Sequence, residues 1–401
     1  MLRIVGDRWR DEEGRRLVLR GANLGGDSKV PARPDGATQV KEGFYDWRGV
    51  SFVGRPFPLD EADGHFERLA RWGLDFLRLV VTWEAVEHAG PGIYDLEYLD
   101  YIEAIAAKAG ERGLRLFVDP HQDVWSRWTG GDGAPYWTLE AAGFEPRRFH
   151  ASGAAILHQE LGDEYPRMIW SAGNNRLAAA TMFTLFFGGN AFAPGIAAEG
   201  RPIQDFLQDH YIDAMRELAK RLGRMDHVVG FDSLNEPSEG FIGLGDLARL
   251  ERAPNKTGPV PTPWQSMLAG SGWAVEVDRY GLRLPAGQGV VGRAVIGSDG
   301  VSAWRGGSDC LWRRVGVWDE GPEGPRLLRP DHFAQAGGHR ADFAAGFLMP
   351  FVRRYAAAIR SSVEGGSRLA IFVEGVPDGG APSWRAAVAS PAQASAADAG
   401  L

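Results

Sequence analysis

The 401-residue chain has a single cysteine, Cys310. That excludes an intramolecular disulfide framework and fits a reducing, cytoplasmic setting. The nine histidines contain neither His-x-x-x-His nor His-Glu-x-x-His, and one thiol cannot complete a zinc site. No metal and no other cofactor is therefore expected. A Gly-x-Ser-x-Gly elbow is missing, which argues against an α/β-hydrolase. A long basic run is missing too, and the net charge of −8 argues against nucleic acid as a partner. No stretch of 18 purely apolar residues marks a membrane-spanning helix. The N-terminus carries Arg3, Asp7 and Arg8, charges that come too early for a signal peptide.

What is present is ordinary for a globular chain: 44% apolar and 24% charged residues, enough for a sizeable core. The 14 tryptophans suit carbohydrate platforms and large cores equally. Residues 2–20 read as a hairpin, Leu2–Val5 returning through Asp11–Gly14 to Arg16–Arg20. The chain then runs into the glycine-rich Gly21–Gly26 and a Pro/Gly-rich loop over 27–58. Helical spacing follows over 59–72, ended by Gly73. Phe76–Val81 is an apolar strand interrupted by Arg78. Leu96–Gly113 is amphipathic, with Leu99, Ile102, Ile105, Ala106 and Ala109 on one face. Leu114–Val118 is a third strand leading into Asp119-Pro120-His121-Gln122-Asp123. After an insertion at about 124–200, Ile203–Met225 is helical and Val228–Asn235 is a fourth strand. A second insertion, at about 238–338, holds hairpin material at 289–296. Asp342–Ser361 is helical again, and Arg368–Glu374 is a fifth strand. The last residues, 385–401, include eight alanines and are expected to be disordered.

Strands alternating with helices imply a parallel sheet with right-handed crossovers. The first strand–helix connection holds no Gly-x-Gly-x-x-Gly, so a dinucleotide fold fits poorly. The expected fold is α/β, a (β/α)8 barrel of TIM type with long loop insertions, incomplete at about five of eight strands. One domain is expected over 1–384. In such a barrel chemistry gathers at the C-terminal strand ends. Arg78, His121 and Asn235-Glu236-Pro237 all fall there. Arg78 in an apolar strand requires a carboxylate partner, whether as a structural ion pair or in a binding pocket. His121 is either a sugar ligand or a satisfied core histidine. A carboxyl half-sunk among apolar residues holds its proton near neutral pH, as a proton donor must. Pro237 biases Glu236 toward extended geometry. The segment Thr181–Phe192 crowds Met182, Phe183, Leu185, Phe186 and Phe187 together, more than one helix face buries. It is read as an apolar wall for a lipid, the other reading being a buried helix.

Taken together, Leu19–Gly26, Arg78, His121 and Asn235-Glu236-Pro237 resemble glycoside hydrolase family 5. The more specific stretches are His121-Gln122-Asp123-Val124-Trp125-Ser126-Arg127, Gly130–Pro135, Thr181–Gly189 and Cys310–Asp319. They resemble its endoglycoceramidase-related branch, which includes glucosylceramide and steryl-glucoside β-glucosidases. The resemblance spans about 17–384. It implies a retaining β-glycosidase acting on a glycolipid or small glycoside, with transient contact at a membrane surface. It also implies Glu236 as general acid/base, Asn235 as partner of the sugar 2-hydroxyl, and Arg78, His121, Gln122, Asp123 and Trp125 as pocket residues. Retention requires a second carboxylate as nucleophile. Glu374 ends the fifth strand, whereas the family's nucleophile lies on the seventh. Glu374 is therefore expected in the pocket rather than as nucleophile, and the nucleophile is expected to lie outside this chain. The chain reads as the N-terminal two-thirds of such an enzyme, inactive by itself. The rival reading is a non-catalytic glycan- or lipid-binding protein derived from one.

Overall fold

The computed structural model describes residues 2–167, 169–252, 256–283 and 287–376. Five parallel strands form the central sheet: β1 (Gly21–Leu24), β2 (Phe76–Thr82), β3 (Arg115–His121), β4 (Val228–Asp232) and β5 (Ala370–Phe372). They lie side by side in sequence order. A doubly wound sheet would reverse its strand order at a switch point; this one does not, as a (β/α)8 barrel requires. The crossovers carry α1 (Ala62–Arg71), α2 (Leu96–Glu111), α3 (Leu177–Phe192), α4 (Ile203–Leu222) and α5 (Met349–Ser361).

Strand parity decides what faces where. Successive side chains alternate between faces, so Leu77, Leu79 and Val81 of β2 and Leu116 and Val118 of β3 point one way. All five are fully buried under the helices. Phe76 and Arg78 on β2, and Phe117, Asp119 and His121 on β3, point the other way. On that inner face Phe117 lies 5.3 Å from Phe76 and 4.4 Å from Phe372, ring centre to ring centre. Trp9 stacks on Phe372 at 6.3 Å. Above this aromatic floor the inner-face residues become polar. On the outer face, α2 is capped by Asp95, whose carboxylate accepts from the Tyr98 N–H at 2.9 Å. It buries Leu99, Ile102, Ile105, Ala106 and Ala109 as its periodicity requires.

Three expectations need correction. The N-terminal hairpin pairs Arg3–Val5 with Arg8–Arg10, turning through Gly6, whose φ is +63°. The expected return strand at 16–20 makes only a single bridge, Arg10 to Arg16. Thr181–Phe192 is not an exposed wall. Met182, Phe183, Leu185, Phe186 and Phe187 are at most 1% exposed, because α3 is buried on every face from Leu177 to Gly189. Phe186 meets Trp125, Tyr211 and Phe351, Phe187 meets Phe343, and Trp312 donates its indole N–H to Thr181 Oγ1 at 2.9 Å. The insertion at about 124–200 thus contributes a core helix. Finally, Glu236 is not extended: its φ is +37°. Tertiary hydrogen bonds, described next, override the local bias. The alanine-rich segment 385–401 lies outside the described residues.

Candidate active site

Period-two alternation carries Arg78, Asp119, His121, Asp232 and Glu374 to the inner face of four neighbouring strands. Arg78 is the hub. Its Nη2 donates to Glu374 Oε1 at 2.5 Å and to Asn235 Oδ1 at 2.6 Å. Its Nε lies 3.0 Å from Asp119 Oδ2 but is poorly aligned, so that contact is charge pairing rather than a hydrogen bond. The carboxylate that an arginine in an apolar strand requires is therefore present twice.

Glu236 sits where β4 has just ended. Gln122 Nε2 donates to the carbonyls of Asn235 (2.8 Å) and Glu236 (3.0 Å), and Glu374 Oε2 accepts from the Glu236 N–H at 3.1 Å. These bonds fix the left-handed backbone and turn the carboxyl outward, where Glu236 is exposed. Partial burial pushes its pKa up. The negative charges of Asp123 and Glu374 push the same way, against His121 and Arg78. The Asn235 amide donates to the Gln122 carbonyl at 2.9 Å.

His121 donates through Nδ1 to Asp119 Oδ2 at 2.8 Å, and its Nε2 lies 3.5 Å from Asp123 Oδ2. Burial disfavours the imidazolium, but the hydrogen bonds to Asp119 and Asp123 outweigh it, and the pKa rises to about 9. His121 is therefore a cation at neutral pH. Burial works against ionisation of Asp123 as well. The bonds from His121 and Lys29 prevail and hold its carboxyl well below the usual range. The Lys29 ammonium reaches Asp123 Oδ2 at 2.5 Å and Asp132 Oδ2 at 3.9 Å. Burial and the charge of Asp123 push the Asp132 pKa well up.

The loop after β3 closes on itself: the Asp132 N–H donates to the Asp123 carbonyl at 2.9 Å and the reverse bond is 3.2 Å. Gly131 is required there, since a Cβ would lie 1.7 Å from the Asp123 carbonyl oxygen. Trp125 is placed differently from the expectation. It is 3% exposed, its indole donates to Thr138 Oγ1 at 3.2 Å, and its ring packs on Phe183 and Phe186. It supports the loop from below and does not line the pocket. Arg78, His121, Gln122, Asp123, Asn235, Glu236 and Glu374 are brought together.

Lys29, Asp119, Asp132 and Asp232 belong to the same constellation and were not singled out from sequence. Asp232 is buried, and burial together with the charges of Asp119 and Glu374 pushes its pKa far up. Two clusters have metal-like spacing, His121–Asp123–Asp132 (a ring nitrogen and two carboxylates) and Asp119–Asp232–Glu374 (three carboxylates), each with its ligand atoms within 4.8 Å. Each already contains a fixed cation, Lys29 in the first and Arg78 in the second. A divalent ion would have to displace a covalently attached one.

A cavity of about 480 Å³ opens beside Glu236 and Asp123. The 170–175 turn and Phe241, Leu244, Arg252 and Pro261 of the second insertion form its far walls. Residues 37–243 match the cellulase (glycosyl hydrolase family 5) profile.

The chain belongs to glycosyl hydrolase family 5.

It is 42% identical over 390 residues to a glucosylceramidase of Aspergillus fumigatus, covering 90% of this chain and 51% of that one. It is 36% identical over 394 residues to an ergosteryl-beta-glucosidase of Saccharomyces cerevisiae, covering 85% and 51%. Sterylglucosidase 1 of Cryptococcus neoformans superposes with a TM-score of 0.86 at 39% identity, over 91% of this chain and 55% of that structure. The family 5 chain thus spans about half the length of the curated relatives it matches. Among its described residues no helix is long and apolar enough to cross a membrane.

Proposed function

We propose that the chain carries the acid–base part of a retaining β-glycosidase that acts on a glycolipid, a steryl glucoside or a glucosylceramide. The carrying observation is the Glu236 carboxyl, exposed at the cavity with its pKa raised, on a backbone pinned by Gln122 and Glu374. The alcohol leaving group of a sterol or ceramide is a poor one and needs a proton as the glycosidic bond breaks. Glu236 would give that proton to the glycosidic oxygen and, as carboxylate, take one from the incoming water in the second half-reaction. Asn235, oriented by Arg78 and by the Gln122 carbonyl, would meet the sugar 2-hydroxyl. His121, Gln122 and Asp123 would complete the glycone pocket, and residues 1–384 would form one glycosidase unit. The names of the relatives support the glycolipid substrate. Cys310, buried as a free thiol, fits a cytoplasmic setting.

Glu374 is read as a positioning residue. One of its oxygens accepts from Arg78 and the other from the Glu236 N–H, so it orients both groups. The attacking carboxylate is thus not assigned among the described residues, and this chain by itself is expected not to complete turnover.

Glu236→Gln in an active form of the protein tests the acid. The loss on a steryl or alkyl glucoside should be about 10²–10⁴-fold, and much smaller on an activated aryl glucoside that leaves without a proton. Equal losses on both would remove the assignment. A 2-fluoroglucoside trap with peptide mapping should leave Glu374 unlabelled, and a label there would make it the nucleophile.

A further inference from the structure

Two stretches that stand out in the sequence, 121–127 and 130–135, interlock in the structure, and the loop they form is strained. Val124 and Trp125 both take positive φ, +53° and +77°, which a β-branched or bulky side chain adopts only under constraint. The constraint is a set of hydrogen bonds. The Trp125 N–H donates to Gln122 Oε1 at 2.9 Å, and Thr129 Oγ1 donates to the Val124 carbonyl at 2.5 Å. The Ala134 N–H donates to the Trp125 carbonyl at 2.7 Å, and Ser126 Oγ to the Ala134 carbonyl at 2.7 Å. Gly133 lies so close that a Cβ would fall 2.4 Å from Gln122 Cβ. The outcome of this closure is the bridge between Asp123 and Asp132, which sets two acidic side chains side by side.

The two acids are served unequally. Asp123 accepts from Lys29 Nζ at 2.5 Å and has His121 Nε2 at 3.5 Å. Asp132, 4% exposed, has only Lys29, at 3.9 Å, beyond hydrogen-bond range. Its Oδ1 is buried with no hydrogen-bond partner among the described residues. As a carboxylate, Asp132 would leave that oxygen desolvated and unpaired, a costly state. With a proton it gains a donor, and an acceptor stands beside it: the ligand atoms of His121, Asp123 and Asp132 lie within 4.8 Å of one another. A side-chain hydrogen bond between the two carboxyls requires a proton on one of them. Asp123, with both cations at hand, is the one that stays ionised, so the proton belongs to Asp132.

We propose that Asp132 is a positioning residue: its carboxyl holds a proton, donates it in a hydrogen bond to the Asp123 carboxylate, and fixes Asp123 where it meets the sugar. The proton stays on Asp132 throughout the reaction. Lys29 faces the pair from the Gly26–Lys29 turn, and His121, itself bonded to Asp119, faces it from β3. Glu236 lines the same cavity as Asp123. One carboxylate thus takes three donors and presents a single charge, which is among the influences that raise the Glu236 pKa. An ionised Asp132 would instead divide Lys29 between two anions. The positioning role rests on the reading of Asp123 as part of the glycone pocket; the proton on Asp132 does not.

Carboxyl-carbon magnetic resonance of the full chain, isotope-labelled at its aspartates, reads the proton directly, with signals assigned through Asp132→Asn and Asp123→Asn. The Asp132 signal should keep the position of a protonated acid at neutral pH, where ordinary aspartates are ionised. A signal at the carboxylate position overturns the inference. Asp132→Asn offers Asp123 an N–H in place of the O–H, whereas Asp132→Leu offers no donor at similar volume. The Asp123 signal should hold in the first and move in the second, and equal behaviour in both overturns the donor role. Should the leucine variant not fold, urea denaturation of Asp132→Asn across pH decides. Freed of a carboxyl whose folded pKa is raised, it should gain on the parent as pH rises above about 4; an ionised partner of Lys29 would make it lose. In an active form of the protein, Asp132→Leu should lower kcat/KM roughly 10-fold. The loss should be the same for aryl and steryl glucosides, since Asp123 holds the sugar and not the leaving group, and Asp132→Asn should recover most of it. A leucine variant as active as the parent overturns the positioning role. An ionised Asp132 in a protein whose Glu236→Gln variant discriminates between leaving groups would sink this inference alone. A protonated Asp132 in a protein that hydrolyses no glucoside in any form would sink the glycosidase reading alone.

Discussion

Arg127 and Arg78 are both inner arginines partnered by glutamates distant in sequence, yet their surroundings are unlike. Arg127 grips Glu84 through Nε and Nη2 at 2.6–3.0 Å, both side chains are at most 3% exposed, and the guanidinium lies 4.3 Å from the Trp128 ring centre. One cation meets one anion and nothing is left over. Arg78 instead serves three groups, Asp119, Glu374 and Asn235, with Asp232 close behind. There Asp119 Oδ1 and Asp232 Oδ2 lack hydrogen-bond partners among the described residues. Burial shifts Asp232 and Glu236 upward, and the surplus of acid over base around Arg78 adds to the shift. A closed pair of charges holds a fold, and an unbalanced set beside a carboxyl that lines a cavity, as Glu236 does, can tune a proton donor. Charge balance and burial together separate the two arginines.

The contrast can be broken by experiment. Arg127→Ala strands the Glu84 carboxylate in the core and should cost about 3–5 kcal/mol in urea denaturation. Any protein that still folds should keep its site chemistry. Arg78→Met should reverse that balance. Stability should fall by only about 1–3 kcal/mol, because Glu374 can turn to water. Turnover in an active form should drop by about 10²-fold as Asn235 loses its anchor. Similar losses of stability and activity in both variants would erase the distinction.

A third measurement uses pH. The folded pKa of His121, about 9, lies above its unfolded value near 6.5. The stabilisation from its charge is thus complete below about pH 6.5 and lost as pH rises through about 9. The stability advantage of the parent over His121→Gln should shrink across that window, and a constant difference would refute the imidazolium. The smallest effect is expected for Asp232→Asn. Burial and the charges of Asp119 and Glu374 raise the folded pKa, while the unfolded carboxyl ionises near pH 4, so folding is penalised as pH rises above that value. The amide removes the penalty. The variant should gain on the parent as pH rises above about 4, and a loss there would show that the Asp232 pKa is not raised.

Periodicity made the barrel legible. β2, β3, α2 and α4 each announce themselves over a full element, and Arg78 and His121 stand out as polar residues at apolar strand ends. Asp119 and Asp232 are anomalies of the same kind, and extending the parity of Arg78 across the sheet would have found them. Lys29 could not be found that way, since it lies in a loop with no period. Burial of α3 was not legible either. Whether its rings find partners depends on Tyr211, Trp312, Phe343 and Phe351, which are remote in sequence and meet it only in three dimensions. The left-handed Glu236 was hidden for the same reason: Gln122 and Glu374 impose it against the preference that Pro237 sets.

The path from Asp232 to Ala370 bears on the order of assembly. β4 and β5 are neighbours in the sheet, yet the whole second insertion and α5 separate them along the chain. Closing so long an excursion, like the one from His121 to Val228, carries a loop entropy that the β1–β2 and β2–β3 pairs face far less. β4 and β5 should therefore dock after β2 and β3 have met. Glu374 arrives with β5, so the Glu236 amide proton stays unprotected until that late step. Pulsed hydrogen exchange during refolding would time the moment at which the acid is locked into place.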